Sequence, residues 1–410
     1  MHDERTTARD TTKNLKLLAE TARLAHGFGV TSGRLQAFLL SLAEELGYTG
    51  SFRVTPSSIM YAISEKGREE QLIRYIPLPS PGFQLTRLAW LSKIMNRLEA
   101  NELTVDETLS EIRKLESLPD TFGPAVVGLA YGGCGAGFAV LLSLGWTNVA
   151  IAFLGSLLVY ALVRLAERIP MLGARLEFLS AFIVSLLAYL SSLVFPGMDA
   201  SKITLCSLVV LVPGFGLTVG VSEFAAGLIM SGLERLSAAI MSTFKLFFGA
   251  IAGWVVVSVY FVLPEAVPAA PHATPLLWGF ATVLVISLAV IFQADLADLP
   301  WIVLAGVITY AGMEAGGQLG FWQGSFLGAA ALGFAANTYA RNSGRPALII
   351  INPVVMMLVP GAATLLGLQA GATAGAASGF SAEWHAFLNI AAILAGLMVA
   401  YVATPSKTAL

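Results

Sequence analysis

The chain has 410 residues, 56% of them hydrophobic and 12% charged, with a formal net charge of −2 and a mean hydropathy of +0.75. An ordinary soluble domain is about a quarter charged, and a balance this near zero supplies no basic field for nucleic acid. Residues 1–120 hold 15 of the 24 basic and 16 of the 26 acidic residues, leaving 9 and 10 for the other 290; a soluble domain therefore precedes a membrane domain.

The start, MHDERTTARDTTKNLK, has no apolar core, so no cleavable signal peptide is expected. Periodicity then predicts helices near 10–28 and 33–46, extended runs at SFRVT, IMYAIS and QLIRYIPL, and helices near 83–100 and 104–117. Thr104 with Glu107 three places on is a capping-box pattern, and Pro119 stops the second helix of that pair. Pro77, Pro79 and Pro81 make IPLPSPGF a turn-rich connection. This reads as a small α+β domain over 1–120. Its His26, Ser32 and Glu44 can be assembled on paper into a hydrolytic trio, but their spacing gives no support for one.

From Pro124 onward apolar spans fall near 124–143, 147–165, 176–195, 201–230, 236–262, 274–293, 300–315, 320–340, 346–370 and 384–403. Most approach the ~20 residues a bilayer requires. Ten spans divide into five and five, 121–263 and 264–410. The fourth of each five carries the same interruption, LVPGFGLT at 211–218 and LVPGAATL at 358–365, with Gly220 matching Gly367. An odd number of spans per half reverses the second half in the membrane, so the expected fold is a polytopic α-helical membrane protein of two inverted repeats with broken fourth and ninth helices. Arg164, Arg168, Arg175, Arg235, Arg341, Arg345 and Lys407 fall in connections on the side of the N-terminal domain and only Lys202 on the other, which places both termini in the cytoplasm.

Gly128 with Gly132, and Gly320, Gly324 and Gly328, fit close helix packing; no Lys-Ser/Thr follows the run GLAYGGCGAG to make it a phosphate loop. The four histidines are scattered and Cys134 and Cys206 lie in apolar segments, so neither a metal site, a cofactor nor a disulfide framework is expected. No G-x-S-x-G elbow is present.

A Pro-Gly break deep in a span frees carbonyls on one half-helix and N–H groups on the other, and these suit the ammonium and carboxylate of a zwitterion. Pro213, Gly214 and Phe215 with Thr218, and Pro360 and Gly361 with Thr364, are the expected substrate contacts. Glu223 and Glu314 are acidic residues inside spans, where a charge costs about 2.5–3.5 kcal/mol and defaults to function or a partner. Both are candidate proton carriers. Lys245, inside the fifth span, is the expected partner of Glu223, which has no counterpart at Ala370 of the second copy.

LVVLVPGFGLTVGVSEFAAGLIMSGLERLSAAI (208–240) and RPALIIINPVVMMLVPGAATLLGL (345–368) resemble the two signature segments of the threonine/serine exporter family. AHGFGVTSGRLQAFLLSLAEELG and FRVTPSSIMYAIS are similar to its cytoplasmic domain. The resemblance covers nearly the whole chain from about residue 15, in a form with both halves fused. It implies proton-driven export of threonine and serine across the cytoplasmic membrane. It points to Pro213, Gly214, Glu223, Ser231, Gly232, Arg235, Pro360 and Gly361, with Ala362 standing where many members carry serine. The expected partners are therefore a small amino acid, protons and the lipid bilayer, with room for a homo-oligomer. Competing readings are a membrane-tethered hydrolase with its chemistry in 1–120, a channel-like pore, and a carrier for another small carboxylate.

Overall fold

The computed structural model describes residues 2–67, 70–78, 82–358 and 376–404. The N-terminal domain comprises α1 (His2–Gly27), α2 (Ser32–Glu45), a three-stranded antiparallel sheet of β1 (Tyr48–Val54), β2 (Ser58–Glu65) and β3 (Leu72–Pro77), then α3 (Leu85–Glu99) and α4 (Val105–Glu116). Phe52 pairs with Tyr61 and Val54 with Ile59 across β1–β2. All four are buried, in one apolar core with Leu17, Leu35, Leu39 and Leu91. The capping box forms: Thr104 Oγ1 accepts from the Glu107 N–H, and the Glu107 carboxylate accepts from the Thr104 N–H at 2.8 Å.

After Gly123 come α5 (Pro124–Leu141), α6 (Trp146–Arg168), the short α7 (Pro170–Gly173), α8 (Leu176–Val194), α9 (Ala200–Leu208), α10 (Gly214–Ala225) and α11 (Ile229–Tyr260). The remainder is α12 (Thr274–Ile291), α13 (Leu299–Gly317), α14 (Phe321–Ser343), α15 (Leu348–Leu358) and α16 (Ala376–Ala403). Among the described residues six helices are long and apolar enough to cross a membrane: α5, α6, α8, α11, α12 and α13. Of the other four expected spans the tenth falls on α16, apolar over the described Phe387–Ala403. The fourth is split into α9 and α10, α14 carries Asn337, Arg341 and Asn342 near its end, and of the ninth only Leu348–Leu358 lies among the described residues.

Packing follows one scheme on both sides of the α11–α12 connection. α5 packs on α6 and α9, α6 on α8 and α9, and α8 on α9 and α11; in the same way α12 packs on α13 and α15, α13 on α14 and α15, and α14 on α15 and α16. α5 and α12 pack against each other. Small residues make these approaches close: a Cβ at Gly132 would lie 2.5 Å from the Phe153 ring of α6, and one at Gly324 2.9 Å from the Met313 carbonyl of α13. Both free cysteines are buried.

The break at Pro213 and the turn after α10 depart from the spans drawn by hydropathy. Pro213 has no N–H to donate to Val209, so α9 stops at Leu208 and the chain crosses 209–213 before α10 begins. The Leu228 N–H then bonds the Glu223 carbonyl at 2.9 Å around Gly227, whose φ of +81° is the left-handed conformation of a helix-closing glycine. The turn is thus at 226–228, and Arg235, expected in a connection, lies within α11. With 32 residues α11 is roughly 48 Å long, so its first turns extend beyond a ~30 Å apolar layer.

Candidate substrate cavity and a buried carboxylate cluster

The break opens onto a cavity of about 380 Å³. Its walls are the crossing segment Val210–Pro213 with Phe215 and Gly216 of α10, Tyr131 of α5, Ile291 and Phe292 at the end of α12, Met356 of α15 and Arg235 of α11. The rest is supplied by the N-terminal domain: Gly29, Val30 and Thr31 from the α1–α2 loop, and Phe83 ahead of α3. Phe83 stacks on Phe292 with centroids 4.3 Å apart and meets Phe215 edge-on at 5.2 Å. Gly29 sits at φ +98°, and a Cβ there would lie 3.0 Å from both the Gly82 carbonyl and the Phe83 ring, so the loop follows the cavity edge too closely for a side chain.

Polar groups in this wall come from the start of α10. The Gly214 N–H closes on the Val212 carbonyl at 2.8 Å. The Phe215 and Gly216 N–H groups, in the first helical turn, have no acceptor within the helix, and both residues face the cavity. This end of α10 also carries the positive end of its dipole.

Beside the cavity is the most heavily bonded carboxylate among the described residues of the bundle. Glu223 is 4% exposed. It accepts from the Ser231 hydroxyl at 2.7 Å, from the Arg235 Nε at 3.2 Å and Nη2 at 3.5 Å, and from the backbone N–H of Ser32 at 3.0 Å. The Ser231 and Ser32 hydroxyls are 2.8 Å apart, and Arg235 Nη2 lies 3.4 Å from the Ser32 hydroxyl. The geometry follows from the local sequence. Gly227 lies four residues after Glu223 and four before Ser231, so the turn there sets those two face to face, and Arg235 follows Ser231 by one helical turn on the same face. Ser32 is the first residue of α2, and its N-cap Thr31 makes no side-chain cap. The carboxylate of another part of the chain supplies the acceptor that the helix start lacks.

A second ion-pair group lies in the later half of the bundle. Arg345 donates to the buried Asp298 at 2.6 Å and to Asp295 at 3.3 Å, and the Tyr339 hydroxyl donates to Asp298 at 2.7 Å. Among the described residues no group of three or more His, Cys, Asp or Glu side chains could hold a metal ion.

Residues 16–257, more than half of the chain, match the model of a family described as "Putative threonine/serine exporter". The chain belongs to that family. It is also 22% identical over 354 residues to pheromone-regulated membrane protein 10 of Candida glabrata, an alignment covering 81% of this chain and 43% of the relative. The protein of the same name from Saccharomyces cerevisiae is 23% identical over 352 residues, with 81% and 44% covered. The chain thus spans less than half the length of these two relatives. No solved structure matches it.

Of the expected site residues of this family member, Pro213 and Phe215 line the cavity and Gly214 lies between them. Thr218 is turned away, its hydroxyl donating to the Gly214 carbonyl at 3.1 Å. Pro360, Gly361 and Thr364, with Ala362, Gly367 and Ala370, lie outside the described residues. Glu314 is on an exposed face of α13, beside Tyr310, away from the cavity. The expected Glu223–Lys245 pair is replaced by another: Lys245 lies 3.7 Å from Glu177 of α8 and donates to the Ala174 carbonyl, while Arg235 takes Glu223. The reason is the turn at Gly227, which puts Glu223 at the end of α10 opposite the start of α11 rather than deep in a span. The paper trio also separates. Ser32 and Glu44 stand at opposite ends of α2, about 18 Å apart along its axis. The domain's share of the cavity was not legible in the sequence, and no local signal marks it.

Proposed function

We propose that the chain exports small hydroxy amino acids, threonine and serine, across the cytoplasmic membrane in exchange for protons. The observation that carries this reading is the cavity at the Pro213 break, which combines free α10 N–H groups with an adjoining buried carboxylate. Its volume falls within the ~300–1,000 Å³ of small-molecule sites. The N–H end of α10 suits the substrate carboxylate, and the aromatic and aliphatic walls leave little to compensate a second negative charge. Glu223 carries the proton, and Arg235 is the cation it separates from when protonated. Family membership supports export, and threonine and serine follow from the family description. In this reading there are ten spans in two inverted halves with both termini cytoplasmic. The matching packing within α5, α6, α8, α9 and α11 and within α12, α13, α14, α15 and α16 supports that arrangement.

The test is efflux from proteoliposomes loaded with labelled threonine, serine, glycine or a small dicarboxylate, with and without an imposed pH gradient. Saturable efflux of the two hydroxy amino acids, accelerated by inward proton flow, is expected. Glu223→Gln should lose the acceleration, because the amide cannot take up and release the proton. Efflux that never saturates would indicate a pore, and preference for the dicarboxylate would replace the substrate assignment.

A further inference from the structure

Among the described residues two helix starts of the N-terminal domain bond to the bundle, beside the apolar packing of α3 on α15, and the two contacts differ in kind. At α3 the Leu85 and Thr86 N–H groups donate to the Phe292 and Gln293 carbonyls at the end of α12, both at 3.0 Å, and the Gln293 side chain bonds the Phe122 backbone in both directions. These are neutral backbone partners. At α2 the acceptor is Glu223, whose strength as an acceptor depends on its charge. Between the two contacts runs the segment Gly29–Thr31, which is cavity wall.

We propose that Gly29–Ser32 is the domain-side gate of the substrate cavity and that Ser32 is the positioning residue that latches it, through its backbone N–H, to Glu223. This rests on the transport reading above. With Glu223 ionised, the Ser32 N–H, the Arg235 guanidinium and the positive end of α2 all hold the same carboxylate, and the segment is closed over the cavity. A proton on Glu223 removes the charge that makes these bonds strong, and the segment lifts. In an exchange cycle a proton arriving from outside opens the gate, leaves to the cytoplasm as substrate enters, and the re-ionised carboxylate closes the gate behind the substrate. The charged surroundings of Glu223 are limited. α11 contributes Arg235 and carries Glu234 next to it, while its Lys245 pairs with Glu177, α2 contributes Arg34 two residues beyond Ser32, α15 has no ionisable side chain, and over Phe387–Ala403 α16 has only Tyr401.

The decisive variant is Ser32→Pro. Proline is accommodated at the first position of a helix, and Thr31, at φ −70° and ψ 153°, already has the conformation required before proline; the substitution removes the latching N–H, sets the ring Cδ where the Glu223 carboxylate is bonded, and also removes the Ser32 hydroxyl that accepts from Ser231 and Arg235, a loss that Ser32→Ala shares. In the full chain with Cys134→Ala and Cys206→Ala, a single cysteine at Val210 reports access to the cavity from a membrane-impermeant thiol reagent added on the domain side. Ser32→Pro and Glu223→Gln should each raise the labelling rate about tenfold or more, the loss of a charge-assisted hydrogen bond. Ser32→Ala, which keeps the N–H, should stay near the parent. Labelling of the parent should also rise on acidification, and that rise should vanish in Glu223→Gln, a dependence that mere loosening of the fold would not produce. Unchanged labelling in Ser32→Pro that elutes as intact protein overturns the gate. If that variant does not fold, the shape-preserving Glu223→Gln decides in the same assay: unchanged labelling, or labelling that still responds to pH, overturns it. A gate that behaves as described in a protein that moves neither threonine nor serine would instead reject the substrate assignment.

Discussion

Replacing Arg235 by methionine tests the central pairing most directly. The Glu223 and Arg235 side chains are 5% and 12% exposed, so solvent screens their attraction little. Removing one partner of such a pair leaves a buried charge and costs about 3–5 kcal/mol. The Ser32 N–H and the Ser231 hydroxyl still serve the carboxylate, so the low end, about 3 kcal/mol, is expected here. Lys245 and Glu177 are 37% and 26% exposed at 3.7 Å, and an exposed pair of that kind contributes about 0–1 kcal/mol. In thermal unfolding of the purified full chain at a fixed scan rate, Arg235→Met should lower the midpoint by about 6 °C and Lys245→Met by about 1 °C, taking roughly 2 °C per kcal/mol for a large chain. Adding Glu223→Gln to Arg235→Met removes the stranded charge and should recover most of the loss. If Lys245→Met costs as much as Arg235→Met, or if Glu223→Gln recovers nothing, the cluster does not hold the fold as argued.

Gly227→Ala should lower the same midpoint by about 2 °C, because nothing lies within 4 Å of the added carbon and the cost is the left-handed backbone alone, roughly 1 kcal/mol. Asn352 is fully buried in α15 and neither amide atom has a hydrogen-bond partner among the described residues; Asn352→Leu, similar in volume, should leave the midpoint unchanged or raise it, and a drop of several degrees would show that the amide is satisfied in the working protein. The Thr104 N–H and hydroxyl hold the Glu107 carboxyl below its usual range. A carboxyl depressed on folding stabilises above its unfolded value and loses that contribution as pH falls, so Thr104→Ala should destabilise the chain near pH 7 and make progressively less difference below about pH 4.5. A difference that grows on acidification would contradict the capping box.

Much of the N-terminal domain was legible because its signals are local. Alternating Phe52, Val54, Ile59, Tyr61 and Ile63 specify two strands with one buried face, and Thr104–Glu107 mark a helix start. The Pro213 break was legible for the same reason, since a missing N–H acts on its own helix. The turn at Gly227 was not, because Phe224 to Ile229 is apolar enough to read as uninterrupted span, and a hydropathy window averages over a single left-handed glycine. That one omission displaced Arg235 into a connection and left Glu223 with Lys245 as its nearest apparent partner. Symmetry of spacing was the overlooked signal: an acid and a serine four residues either side of a glycine, with arginine one turn further, is what a helical hairpin with a buried ion pair requires.

The cavity's outer wall lay beyond any such reading, since Ser32 and Glu223 are 191 positions apart and nothing local marks a helix start that will be capped by a distant carboxylate. Yet the way the domain is attached follows from elementary constraints. Every helix start leaves N–H groups without partners, and a domain that docks by its helix starts can satisfy them only with acceptors from the bundle. At α3 those acceptors are carbonyls at the end of α12, which no change of pH alters. At α2 the acceptor is a carboxylate, which a proton neutralises. A domain held at one point by fixed partners and at another by a titratable one has a natural axis and a natural release, and the segment between them is the one that lines the cavity. Had both docking points used backbone carbonyls, the domain would be a rigid cap; had both used carboxylates, protonation would detach it altogether.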